Sequence, residues 1–200
     1  MAEKKIKGYV RSENVVWIIA VSLLVGFVSG VAFGIYKSGT MANPGQSSKK
    51  VGMNAEQQEN IDTLKAQVRK NPNDKAAWIQ LGNSYFNANL PDKAIVAYNK
   101  ALALDPQDAD VWTDLGVMYR RSGQPKKAVE CFDRAMKIDP HHQVSRFNKG
   151  VVLLHDLNDE AGALKSWESL LAINPDAKTP DGQPLRGLVN QLKKNLQDKQ

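Results

Sequence analysis

Residues 78–106 read WIQLGNSYFNANLPDKAIVAYNKALALDP, and residues 112–140 read WTDLGVMYRRSGQPKKAVECFDRAMKIDP. The two lines align without a gap at an offset of 34 residues. Trp78, Leu81, Gly82, Tyr85, Ala94, Tyr98, Ala101 and Pro106 are matched by Trp112, Leu115, Gly116, Tyr119, Ala128, Phe132, Ala135 and Pro140, so each position keeps its residue or its chemical type. A fixed period of this length marks stacked two-helix units, none of which can bury its apolar face alone. Each recurring position has a physical reason. Gly82 and Gly116, with the four alanines opposite, leave room where paired helices cross. The aromatics fill the space between helices. Pro91 and Pro125 open the second helices, where a first-turn proline loses no intrahelical bond. Asp105-Pro106 and Asp139-Pro140 end them, because the residue before proline disfavours helical backbone.

This pattern resembles the tetratricopeptide-repeat (TPR) family, specifically over residues 75–140 and more loosely over 56–198. It sets the expected fold: an all-α helical solenoid of about three repeats (75–108, 109–142 and 143–177) plus capping helices. The third repeat is degenerate. Gly150 lies 34 after Gly116, but Ala163, Trp167, Leu170 and Pro175 lie 35 after their counterparts, which places one inserted residue in the turn His155–Asp159. Phe147 stands near the expected tryptophan, Lys149 replaces a leucine, and no proline opens the second helix. Glu56–Lys70 puts Ile61, Leu64 and Val68 on one face, as a second helix without its first. Over 183–198, Leu185, Leu188, Val189, Leu192 and Leu196 form an amphipathic stripe suited to sealing the open end of a solenoid. Between them Pro175–Pro184 is a long connection. The repeat domain is expected over 55–200.

The first 54 residues read differently. Residues 1–14 form a basic tail with Lys4, Lys5, Lys7 and Arg11 against Glu3 and Glu13. Val15–Tyr36 is a run of 22 residues without a charge. At the helical rise that spans about 33 Å, enough for a hydrocarbon core of about 30 Å. It is longer than a signal-peptide core, so it reads as an uncleaved single transmembrane helix. The basic flank favours a cytoplasmic N-terminus and a periplasmic or otherwise extracytoplasmic repeat domain. Ser22, Gly26, Gly30 and Gly34 recur every four residues and make a shallow groove on which another membrane helix can pack. Lys37–Asn54 is rich in small and polar residues and reads as a flexible linker.

TPR families bind peptides or partner helices in the concave groove formed by the first helix of each repeat. Carried onto this chain, the resemblance places Asn83, Asn87, Thr113, Asp114, Val117, Arg120, Arg121, Asn148, Val151 and His155 on or near that groove. Asn83 and Asn87 lie one turn apart and can bond a peptide backbone. Arg120 or Arg121 can take a carboxylate in a fork. The plainer alternative is that these are solvated polar residues between core positions. TPR domains that clamp chaperone C-termini use Lys, Asn, Asn, Lys and Arg. The matching positions here are Ile79, Asn83, Asp114, Val144 and Asn148, of which Asn83 alone agrees. One span followed by a few repeats, with the run Lys165–Leu171, is also similar to TPR subunits of bacterial cytochrome c maturation systems that hold apocytochrome. The expected function is therefore a membrane-anchored scaffold for a protein or peptide partner, with that chaperone role as the alternative.

Other classes find little support. The formal net charge of +6 over 200 residues is spread among alternating signs, without the basic stripe that nucleic acid requires. His141 and His142 are adjacent, so they splay about 100° apart on a helix; with no neighbouring ligand they read as solvated turn residues and no metal is expected. Cys131 beside Phe132 reads as a core residue. No phosphate loop, serine elbow or carboxylate pair points to an enzyme, and no cofactor is implied.

Overall fold

The computed structural model describes residues 54–199, which lie in one compact unit. The basic tail, the span at 15–36, its small-residue face and the linker up to residue 53 lie outside the described residues. Among the described residues no helix is long and apolar enough to cross a membrane.

Eight α-helices and no strand make up the described chain: α1 (Ala55–Lys70), α2 (Lys75–Asn87), α3 (Pro91–Leu104), α4 (Ala109–Arg121), α5 (Pro125–Ile138), α6 (Gln143–His155), α7 (Glu160–Ile173) and α8 (Leu185–Gln197). Each helix packs mainly on its neighbours in sequence, the one-dimensional order of a TPR-like solenoid. First helices of 13 residues alternate with second helices of 14 in all three repeats.

Local chemistry sets these boundaries. Asn54 caps α1 by accepting the Gln57 N–H at 2.7 Å, while the Gln57 side chain accepts the Asn54 N–H at 3.0 Å, satisfying two helix-end donors at once. Asp74 and Asp108 cap the first helices of repeats 1 and 2 through Ala77 and Val111. The turns inside the repeats hinge on Asn89, Gly123 and Asn158, all at positive φ (53°, 74° and 55°). Leu90 N–H reaches Tyr85 C=O at 2.9 Å, Gln124 reaches Tyr119 at 2.8 Å, and Asp159 reaches Leu153 at 2.8 Å. The third closure spans one residue more between equivalent ends, which places the insertion in the 156–159 turn. Without a proline there, Asp159 caps α7 by accepting the Gly162 N–H at 2.8 Å.

The core repeats as well. Trp78 and Trp112 each donate the indole N–H to the carbonyl of the proline six residues earlier, Pro72 and Pro106, at 2.8 and 2.9 Å. In repeat 3 that position is Arg146, and Phe147 stacks instead on the buried Trp167 with centroids 6.3 Å apart. Lys149 bonds Asp133 at 2.6 Å, which explains a cation where the other repeats have leucine. Ile61, Leu64 and Val68 bury α1 against repeat 1, and Leu185, Val189 and Leu192 bury α8 against repeat 3. The 174–184 loop carries its own order. Ala177 is buried, its carbonyl accepts the Leu185 N–H at 2.9 Å, and Lys178 and Pro184 form an isolated bridge.

Candidate functional site

The first helices lie side by side, and contacts between repeats show how. Arg121 of α4 places its guanidinium 4.4 Å from the Phe86 ring of α2. Tyr98 of α3 donates its hydroxyl to the Asn83 side-chain oxygen at 2.7 Å, leaving the Asn83 NH2 free on the exposed face. Asp114 lies close enough to Tyr98 to act on its ionisation, and burial holds that phenol above its usual range. Asp114 is half-buried, and desolvation, then Asp110 and Asp108, raise its carboxyl to about 6, with His142 opposing. Among the described residues Asp114 has no ion-pair partner. Asn87 is exposed, while Val117, Asn148 and Val151 are half-buried and His155 is exposed.

Three sequence-derived candidates behave differently from their expected roles. Thr113 is 3% exposed. Its hydroxyl lies 2.7 Å from the Ala109 carbonyl and 2.6 Å from the Ser145 hydroxyl, so it is a seam residue between α4 and α6 and cannot meet a ligand. Arg120 is held by Asp156. Arg121, over Phe86, lies within 3.5 Å of the Phe86 carbonyl. Both arginines contact a neighbouring repeat: Arg120 is committed to Asp156, while Arg121 stays exposed and has no carboxylate partner among the described residues.

His142 corrects a second expectation. Although His141 is exposed, the His142 side chain is only 11% exposed. It caps α6: Nδ1 accepts the Ser145 N–H at 3.2 Å, and Nε2 lies 3.0 Å from Asp110. With Nδ1 accepting, Nε2 carries the proton that Asp110 accepts. Asp110, His142 and Ser145 resemble the trio of nucleophilic catalysis, but Ser145 is fully buried against Thr113 and no substrate carbonyl can reach it. The trio is a structural seam. Its sequence signal was weak, because Asp110 lies 32 residues before His142, at the opposite end of the repeat. Cys131 is buried and its thiol is pushed up to about 12 by burial, so it is not an activated nucleophile.

The fold and this face define a TPR-like solenoid. Residues 81–151 match the family model described as Tetratricopeptide repeat. Over 44 residues, 22% of this chain, the sequence is 48% identical to the peroxisomal targeting signal receptor of Kluyveromyces lactis, and it spans only 8% of that receptor's length. Among solved structures it is similar to the MamA protein, at TM-score 0.62 and 22% identity over 72% of this chain and 76% of that one. It is also similar to the first TPR of Spaghetti (RPAP3) bound to the HSP90 peptide SRMEEVD, at TM-score 0.54 and 20% identity over 61% of this chain and 92% of that one. At these identities the structural likenesses show the fold alone.

Proposed function

We propose that this chain is a membrane-anchored protein-interaction scaffold that holds a peptide or partner helix along its first-helix face. The observation that carries the reading is Asp114: a half-buried carboxylate, unpaired among the described residues, beside the free amide of Asn83. Partial burial without an ion-pair partner raises the cost of the charged carboxylate, and an N–H or ammonium group from a ligand would offset that cost. With Arg120 committed to Asp156, the surroundings of Asp114 favour donors such as peptide backbone N–H groups or a basic side chain. The 22-residue uncharged run 15–36 supports anchorage in a membrane, with the repeats on its extracytoplasmic side.

The test is photo-crosslinking in native membranes from a probe at Asn87 or Asn148, with Lys100 on the opposite side as control. Partner adducts from the first two and none from Lys100 support the reading. Asn83→Ala combined with Asp114→Asn should weaken partner binding at least tenfold, about 1.4 kcal/mol. Adducts from Lys100 alone, or unaltered binding by the double variant, would move the site elsewhere. Anchorage is checked by alkaline extraction of membranes: the full chain should stay in the pellet, and its appearance in the supernatant would remove the span.

A further inference from the structure

The other side of the solenoid holds a groove that the first-helix face does not use. It lies between α1 and α3, with Trp78, Leu81 and Tyr85 of α2 as its floor, and has a volume of about 610 Å³. These three floor residues are spaced i, i+3 and i+7 on one helix; Leu81 and Tyr85 are only 3% and 9% exposed, so the groove's accessible apolar surface rests chiefly on the half-buried Trp78 and on Val96. Val68 and Val96 form the walls, and Val96 is 59% exposed.

The repeat supplies an internal comparison. The same groove recurs one repeat later, floored by Trp112, Leu115 and Tyr119, but there its volume is only about 270 Å³. The difference lies in the walls. Val96 is replaced by Glu130, and Lys100, which does not line the first groove, corresponds to Arg134, which lines the second. One copy of a shared architectural slot therefore has a valine in its wall and the larger volume, where the next has a glutamate there and is narrower.

The charges around the open copy point to its occupant. Lys65, Arg69 and Lys93 line it against one carboxylate, Asp92. Lys65 is paired with Asp62. Among the described residues Arg69 and Lys93 have no ion-pair partner, and Lys93 lies 5.8 Å from the Tyr85 ring centroid. We infer that this groove docks a short amphipathic helix of a partner protein, one that lays an aliphatic or aromatic stripe on Trp78, Leu81 and Tyr85 and flanks it with Asp or Glu facing Arg69 and Lys93. A slot between two helices with a third as floor suits a helix, because helices pack 8–10 Å apart along such grooves. Complementary charge at the rim sets orientation and rejects basic segments.

The experiment uses the full-length protein and a phage-displayed library of random 16-residue peptides. Enriched peptides should share large apolar residues at i, i+3 or i+4, and i+7, together with an excess of Asp and Glu. Their binding, measured by fluorescence anisotropy, should fall at least tenfold on Val96→Glu and again on Arg69→Glu with Lys93→Glu. The first change installs the residue that the second groove already carries, so it is compatible with the fold; circular dichroism and melting temperature check both variants. Binding should be unaffected by Asn83→Ala with Asp114→Asn, which separates this groove from the first-helix face. Three outcomes overturn the inference: enriched peptides that are basic, peptides that bind Val96→Glu normally, or no enrichment above a blank surface. Concentration-dependent self-association abolished by Val96→Glu would assign the groove to a second copy of this chain and overturn it equally.

Discussion

A Cβ placed on Gly82 would lie 2.5 Å from the Tyr98 ring; on Gly116, 2.6 Å from Phe132; on Gly150, 2.2 Å from Trp167. At the residue scale, the glycine and the aromatic of each repeat are thus one device: the ring occupies the space a side chain at the glycine would need. The recurrence of both residue types was legible at the 34-residue period. Their partnership was not, since a pattern shows which positions recur and not which atoms meet. If the ring is the obstacle, shrinking it should relieve the obstacle. Gly116→Ala is expected to destabilise by about 1–3 kcal/mol in the native background and distinctly less in a Phe132→Leu background; additive losses in a double-mutant cycle of melting free energies would refute the pairing. Asp114 gives a second prediction at this scale. Burial raises its folded pKa to about 6, above the ordinary 3.8 of an aspartate, so the fold disfavours the charged form. That penalty is present in full above pH 6 and disappears below about 4. Asp114→Asn should therefore raise stability at pH 8 by about 1 kcal/mol, after allowing for solvent screening, and give no gain at pH 4. Equal melting shifts at both pH values would contradict this. A substitution that strengthens the fold while weakening partner binding is what a recognition residue produces.

Elements differ among repeats in how their ends are held. Pro91 and Pro125 start α3 and α5, whose preceding residues Leu90 and Gln124 make no side-chain cap. The Asp159 carboxylate starts α7 and accepts from Gly162. A Cβ on Gly162 would come within 2.2 Å of that carboxylate, so Gly162 keeps the cap accessible. Asp159→Ala should cost about 0.5–2 kcal/mol, read as a lower melting temperature, whereas Gln124→Ala removes side-chain bonds to Ser122 and Lys127 but no cap, and should cost less. Comparable losses from the two would mean the third turn relies on something other than its cap. The inserted residue was visible in the sequence as a change of period from 34 to 35 between Gly150 and Ala163, and the turn it occupies was the natural place for it. The roles of Thr113, Arg120 and Arg121 were not visible. Their partners Ser145, Asp156 and Phe86 lie 32, 36 and 35 residues away, so each contact crosses to a neighbouring repeat. Helical periodicity places a side chain on a face, but whether that face meets solvent or the next helix depends on the angle between repeats. The uncharged run in residues 15–36, by contrast, is read as a span from composition alone, and that reading needs no such angle.

For the whole molecule, one-dimensional packing has a direct consequence: each helix is supported by its neighbours, and the two end helices are supported on one side only. At one end α1 rests on repeat 1 through Ile61, Leu64 and Val68; at the other, α8 rests on repeat 3 through Leu185, Val189 and Leu192. The middle is reinforced. Asp110 to His142, Thr113 to Ser145, and Arg120 to Asp156 all tie α4 to α6 or its following turn, so repeats 2 and 3 are joined by polar contacts as well as by packing. Local opening should then begin at the ends and reach the centre last. Leu185 is fully buried, and its truncation to alanine removes a large apolar contact worth about 2–5 kcal/mol where the surroundings cannot collapse. In a globule with a single cooperative core that loss would be felt everywhere. In a solenoid it should fall mainly on α7 and α8, while α2 and α3, several neighbours away, keep their support. Hydrogen exchange followed by mass spectrometry on Leu185→Ala checks this directly. Faster exchange confined to peptides from about 160–197, with unchanged protection across 75–104, is the expected result. Uniform acceleration through every helix would show that the repeats unfold as one unit, and the neighbour-by-neighbour account of stability would have to be given up.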